Sequence, residues 1–290
     1  MDLSRPDLVA AVFGAGTMGR GIAQVCAQAG LTTLLFDSRN GAVKEAIAAI
    51  DKGLEGLVSK GRMTGEVKQG VLGRLKPIGS LDEVKGAGVV VEAIVENLDA
   101  KRELFRELEK RLAPDAVIAT NTSSLSVTEI AAGCAKPERV AGLHFFNPPP
   151  LMALVEVIQG DRTSEQTMDK ATALVRQIGK TPARAKDTPG FIVNRVARPF
   201  YNEALRILGD GGASVEVIDR IMKEAGNFRM GPFELMDLIG HDINFAATES
   251  LYHSFFEDPR LRPSPIQHRM VMGGNLGRKT GRGFYVYDKK

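Results

Sequence analysis

A single hexapeptide limits what this chain can fold into more than anything else in it. Gly14-Ala15-Gly16-Thr17-Met18-Gly19 is a G-x-G-x-x-G run, placed directly after the apolar segment LVAAVF and directly before helical sequence. In that setting the three glycines have separate tasks. Gly14 permits a tight turn, Gly16 lets the backbone approach a pyrophosphate with no Cβ in the way, and Gly19 lets helix and strand pack closely. Thr17 and Met18 then open the helix, where free backbone N–H groups and the helix dipole meet anionic oxygens. Taken alone, the hexapeptide reads equally as a glycine-rich turn without a ligand. Asp37 tips the balance. It ends the next strand, 18 residues beyond Gly19, where a carboxylate accepts hydrogen bonds from both hydroxyls of an adenine ribose and repels a phosphate. The residues therefore point to a dinucleotide, NAD ahead of NADP. Arg39 nearby keeps NADP open, and flavin proteins share the fingerprint.

The rest of the first half supports a parallel sheet. Strand-like TTLLFD, GVVVEAI at 88–94 and AVIATN at 116–121 alternate with helical sequence at 17–30, from 41 to about 75, and at 101–112. Such alternation builds a sheet covered on both faces. RVAGLHFF, LVEVIQG, a helix near 165–178 and the strand-like TPARAKD follow. From Thr188 the strand signals nearly vanish, and amphipathic patterns take over in IVNRVARPFYNEALRIL, VEVIDRIMKEA, FELMDLIG and INFAATESLYHSFF. Thr188-Pro189-Gly190 suits entry into a helix, with proline in its first turn. The fold class is α/β: a Rossmann-type doubly wound sheet over 1–187, followed by an all-helical C-terminal domain over 188–290.

Bulk properties exclude several classes. The chain has 290 residues, 43% of them hydrophobic, enough for one large domain or two ordinary ones. No stretch approaches the roughly 18 uninterrupted apolar residues of a membrane helix, and the start MDLSRPDLVA shows neither a secretory apolar core nor an Arg-rich transit pattern. A cytoplasmic location is expected. A net charge of +3 with mixed signs argues against nucleic acid and permits anionic small molecules. Cys26 and Cys134 lack metal-like spacing, as do His241, His253 and His268, so no metal site is expected.

His144 closes the strand-like RVAGLHFF, and a polar side chain at the carboxyl end of a sheet strand opens into the usual ligand crevice. Asn147-Pro148-Pro149-Pro150 then turns the chain, and LVEVIQG runs away from the turn with Glu156 between valines. A carboxylate amid apolar neighbours needs a partner. Twelve residues across a turn can bring Glu156 to His144, fixing one ring nitrogen as N–H so that the other accepts a proton. A structural histidine beside a solvated glutamate is the alternative.

GAGTMGRGIA, VVVEAIVENLDAKRELF, TNTSSLSV, RVAGLHFFNPPPLMALVEVI, DTPGFIVNR, GPFELMDLIG and GRKTGRGFY resemble, in order and over essentially the whole chain, the motifs of the 3-hydroxyacyl-CoA dehydrogenases. The compact length is similar to the stand-alone bacterial 3-hydroxybutyryl-CoA dehydrogenases. FRMGPFELMDLIGHDIN is also similar to enzymes of phenylacetate breakdown that act on 3-hydroxyadipyl-CoA.

The resemblance implies roles residue by residue. His144 would be the catalytic base and Glu156 its orienting carboxylate. Ser123 and Asn194 would hold the substrate oxygen, Asn194 from the helical half, with the site between the domains. Gly14, Gly16, Thr17, Met18, Gly19 and Asp37 would bind NAD together with Glu96, Lys101, Asn147 and Lys279. Lys60, with Lys52 and Arg62 more weakly, would meet the phosphates of coenzyme A. By residue chemistry alone Glu96 and Lys101 read as a surface ion pair, Ser123 as a turn residue, Asn194 as a helix-face polar group and Lys279 as a solvated basic group. The implied reaction is NAD-dependent oxidation of (3S)-3-hydroxyacyl-CoA to 3-oxoacyl-CoA, in fatty acid metabolism and β-oxidation, by a homodimer whose helical domain serves substrate binding and dimerisation. A short-chain substrate such as 3-hydroxybutyryl-CoA comes first and 3-hydroxyadipyl-CoA second. A dehydrogenase of free hydroxy acids and a non-catalytic NAD(H)-binding protein are the rival classes.

Overall fold

The computed structural model describes residues 8–288, so the expectation drawn from the opening MDLSRPDLVA falls largely outside the described residues. The chain forms two compact units that divide between Thr188 and Pro189. The first holds β1 (Val9–Phe13), α1 (Thr17–Gln28), β2 (Thr32–Phe36), α2 (Ala42–Val58), α3 (Gly65–Arg74), β3 (Leu75–Pro77), β4 (Val89–Glu92), α4 (Leu98–Arg111), β5 (Val117–Thr120), α5 (Val127–Ala131), β6 (Val140–Phe145), β7 (Leu154–Gln159), α6 (Glu165–Gln177) and β8 (Thr181–Lys186). The strands make one sheet of order β3-β2-β1-β4-β5-β6-β7-β8. Winding outward from β1 to β3 and then from β4 to β8 leaves the reversal of strand order between β1 and β4. A ligand crevice opens at the carboxyl ends of strands beside such a reversal.

Every residue of β4, β5 and β6 is buried, as strands covered on both faces require, and this is why they read as near-continuous apolar runs. Two departures from the expected pattern, one in the sheet and one in a helix, have local causes. The connection 146–153 is too short for a crossover helix, so β7 returns antiparallel to β6; β8 then pairs parallel to β7. Periodicity also predicts one helical region over 41–75. The structure divides it, because Gly61 adopts a left-handed φ of 67° and the Thr64 hydroxyl caps a new helix by accepting from the Val67 N–H.

The second unit contains α7 (Val193–Gly209), α8 (Val215–Glu224), α9 (Pro232–Ile239), α10 (His241–Ser254) and α11 (Pro265–Met272). Pro189 lies before α7 rather than in its first turn: Gly190 and Phe191 both take positive φ, and the helix begins only at Val193. The unit's core gathers Tyr201, Leu205, Ile218, Phe233 and Met236. Asp237, buried on α9, accepts from His241 Nε2 at 2.7 Å, from the Phe284 and Tyr285 N–H groups at 3.0 Å and from the Tyr287 hydroxyl at 2.9 Å. Burial opposes its charge, but these donors outweigh burial and hold the carboxyl below its usual range. A depressed folded pKa gives stability that is complete above the unfolded value of about 3.9 and is lost as pH falls through the folded one. Asp237→Asn is therefore expected to melt earlier at neutral pH and to lose part of the wild-type decline in melting temperature below about pH 4. An acid limb identical to wild type would remove the carboxylate from this role.

Candidate active site

The glycine turn joins β1 to α1 at the strand reversal. Gly14 takes a φ of 101°, and a Cβ there would lie 2.3 Å from the Ala93 carbonyl oxygen beyond β4. At Gly19 a Cβ would lie 1.7 Å from the Gly14 oxygen, so helix and turn are in backbone contact. Gly16 differs: its φ is −67°, and a Cβ would meet nothing within 4 Å. Two glycines are thus demanded by packing, while the third keeps clear the space in front of the helix. No side chain caps α1, and its first turn has no acidic residue, so the first N–H groups face that space without a competing carboxylate. This is a cradle of the kind a pyrophosphate fits.

Asp37 follows β2 immediately and ties the strand end to the turn. Its Oδ2 accepts from the Ala15 N–H at 2.7 Å and its Oδ1 from the Arg39 N–H at 2.8 Å. A carboxylate has about four acceptor positions, so capacity remains for the two hydroxyls of a ribose. Arg39 places its guanidinium on Glu45, at 2.6 and 3.2 Å. That pair is exposed on both sides, so the preference for NAD rests on the Asp37 carboxylate, which repels a 2′-phosphate.

Beside the turn, at the end of β4, lies a charge cluster. Lys101 is 1% exposed, so its ammonium is enclosed even though Glu96, one of its partners, reaches solvent. Its Nζ donates to Glu92 Oε1 at 2.6 Å and lies 3.2 Å from Glu96 Oε2. Glu92, fully buried, also accepts from the Ile94 N–H at 2.7 Å and the Thr120 hydroxyl at 2.8 Å. Glu96 accepts from the Thr122 hydroxyl at 2.5 Å, the Ser124 hydroxyl at 2.9 Å and the N–H groups of Ser123 and Ser124 at 3.1 and 3.2 Å. Burial works against the Glu96 charge, yet Lys101 and the two hydroxyls hold its carboxyl below the usual range. The cluster fastens the loop after β5, with the Ser123 side chain exposed on it. Asn121 Oδ1 ties the same loop to the Phe145 N–H at 2.9 Å, one residue beyond His144.

His144 and Glu156 are directly opposed in the β6–β7 register, and His144 Nδ1 lies 2.7 Å from Glu156 Oε2. The structure brings together the pair that the sequence places across the turn. The imidazole is 6% exposed and the carboxylate 0%, and Glu156 is further enclosed by β8, where it is registered against Ala183. The Phe146 ring packs on the imidazole with centroids 4.6 Å apart. Since a carboxylate can only accept, Nδ1 carries a proton, and in the neutral ring Nε2 is the acceptor.

The remaining expected residues are placed as follows. Asn147 is exposed at the start of the turn after β6; Lys52 on α2, and Lys60 and Arg62 between α2 and α3, are exposed. In the helical unit, Asn194 is the second residue of α7, and Lys279 donates to both oxygens of Asp242 at 2.5 and 2.6 Å. Among the described residues no group of three or more His, Cys, Asp or Glu side chains could hold a metal ion, and no helix is long and apolar enough to cross a membrane. Glu92 escaped the sequence reading although its signal was there: an acid closing the apolar run GVVVE needs a buried cation, and Lys101 follows nine residues later.

The family model described as 3-hydroxyacyl-CoA dehydrogenase, NAD binding domain, matches residues 9–188, and the C-terminal domain model of the same family matches 190–287. The chain is 46% identical to 3-hydroxyadipyl-CoA dehydrogenase of Escherichia coli over 95% of its length, spanning 58% of that protein. It is 42% identical to 3-hydroxybutyryl-CoA dehydrogenase of Clostridioides difficile, covering 96% of this chain and 99% of the relative. Its structure matches that of (S)-3-hydroxybutyryl-CoA dehydrogenase from Ralstonia eutropha with a TM-score of 0.91 at 44% identity, over 97% and 99% of the two chains.

Proposed function

The chain belongs to the 3-hydroxyacyl-CoA dehydrogenase family, and from that premise we propose that it converts a (3S)-3-hydroxyacyl-CoA to the 3-oxoacyl-CoA with NAD, and catalyses the reverse. The observation that carries this reading is the buried 2.7 Å bond between His144 and Glu156 at the carboxyl end of β6, in the same unit as the glycine turn. Bound NAD supplies the hydride acceptor. Glu156 keeps the proton on Nδ1, so Nε2 takes the proton of the substrate hydroxyl as hydride leaves C3, and the buried carboxylate stabilises the imidazolium. In the opposite direction the imidazolium returns that proton. Ser123 donates to the substrate oxygen as charge develops on it, from a loop held by Glu96 and Asn121. Asn194, Lys279, Asn147 and Lys60 enter the proposal through the family resemblance.

The Clostridioides and Ralstonia relatives favour a short acyl chain, and the Escherichia coli relative supports a second reading with a dicarboxylic chain. Steady-state kinetics with NADH distinguish them. Acetoacetyl-CoA is expected to be reduced and free acetoacetate not. A higher kcat/KM for 3-oxoadipyl-CoA selects the second reading, and NADH binding without turnover of any 3-oxoacyl-CoA overturns both. A homodimer belongs to the same proposal, supported by exposed apolar side chains at Ile221, Phe228 and Phe256 of the helical unit; the mass by light scattering tests it.

A further inference from the structure

A cavity of about 200 Å³ opens in the first unit between α1, α2 and the turn that follows His144. One wall is polar. Thr17, Arg20 and Gln24 follow one another at i, i+3 and i+7 along α1 and line it together with Asn147. The other wall is apolar, with Ile50 of α2 facing the proline run. The gap has a fixed width on one side, because a Cβ at Gly21 would lie 2.7 Å from the Pro149 ring.

Arg20 is the unexplained member. It is exposed, and no carboxylate among the described residues pairs with it. The acid nearest in sequence on the facing helix, Asp51, is ion-paired with Lys68 at 2.6 Å. Helix α1 adds no acidic residue in its first turn. A guanidinium left uncompensated at the rim of a half-apolar cavity suits a ligand with an amphiphilic arm that ends in phosphate. The cavity is lined by Asn147, three residues beyond His144 in the turn that follows β6.

We infer that Arg20 is a specificity residue for the thioester's carrier: its guanidinium receives the pyrophosphate of coenzyme A, while the proline run receives the pantetheine arm. This rests on the proposed activity and adds to it a residue that discriminates a CoA ester from a shorter thioester.

The test compares acetoacetyl-CoA with acetoacetyl-N-acetylcysteamine, which keeps the reacting thioester and lacks every phosphate. In Arg20→Ala the ratio of kcat/KM for the CoA ester over the truncated ester is expected to fall roughly tenfold. Arg20→Lys recovers part of that loss, since a point charge replaces the planar fork. The NADH dissociation constant, read by fluorescence, stays within twofold of wild type. An unchanged ratio overturns the inference. So does a parallel loss in NADH affinity, which assigns Arg20 to the dinucleotide instead. A wild type that reduces neither ester refutes the proposed activity itself, whereas a wild type that reduces both with an Arg20→Ala ratio unmoved refutes only the assignment of Arg20.

Discussion

His144→Gln is expected to lower kcat for acetoacetyl-CoA by about 10²–10⁴-fold, the usual contribution of a positioned acid or base, while the NADH dissociation constant stays near wild type. Glutamine keeps a polar group on β6 that can bond Glu156, but it cannot take a proton from an alcohol or return one to a ketone. The glycine turn and Asp37 stand on other strands, so cofactor binding has no reason to fail with it. Glu156→Gln is expected to lower kcat as well, because an amide no longer demands the proton on Nδ1 or stabilises an imidazolium. The double variant should lose little more than His144→Gln alone, since two residues that act as a unit are not additive. Near-normal turnover in His144→Gln, or a double variant that loses the product of the two single losses, would dismiss the pair as base and orienter.

What could be read without coordinates follows the reach of each signal. The glycine turn, Asp37 and the His144–Glu156 pair were legible because each is declared locally: a turn between strand and helix, a carboxylate at a strand end, an acid between valines twelve residues from a histidine. The short β3 was not, since Leu75–Pro77 directly follows the helix α3 and its pairing with β2 is a long-range contact. The break between α2 and α3 was hidden because Gly61 and Thr64 sit inside an otherwise helical composition, and only the positive φ and the cap reveal the stop. Arg20 looks like any exposed helix residue until the proline turn is folded against α1. Lys101 is the sharpest case: nine residues from Glu92 and five from Glu96, it read as surface charge by residue chemistry alone and as a cofactor contact by resemblance, and only the sheet shows that its ammonium is enclosed.

That enclosure makes Lys101→Met the most destabilising single change expected here. Methionine fills much of the same volume, but it leaves the Glu92 carboxylate at 0% exposure with only the Ile94 N–H and the Thr120 hydroxyl as donors. Removing one partner of a buried pair costs about 3–5 kcal/mol, which in a unit of this size lowers the melting temperature by roughly 10 °C. Adding Glu92→Gln should restore much of the loss, because the amide oxygen still accepts from Ile94 and no unpaired charge remains. The rescue will be thermal rather than catalytic: Glu96 also loses its cation, and Glu96 is what holds the Ser123 and Ser124 N–H groups. The double variant is thus expected to melt near wild type yet keep a raised KM for the 3-oxoacyl-CoA. Scanning calorimetry and steady-state kinetics on the three variants separate these effects. If Lys101→Met melts within about 2 °C of wild type, which by the same conversion is under about 1 kcal/mol, the buried pair does not carry the weight assigned to it.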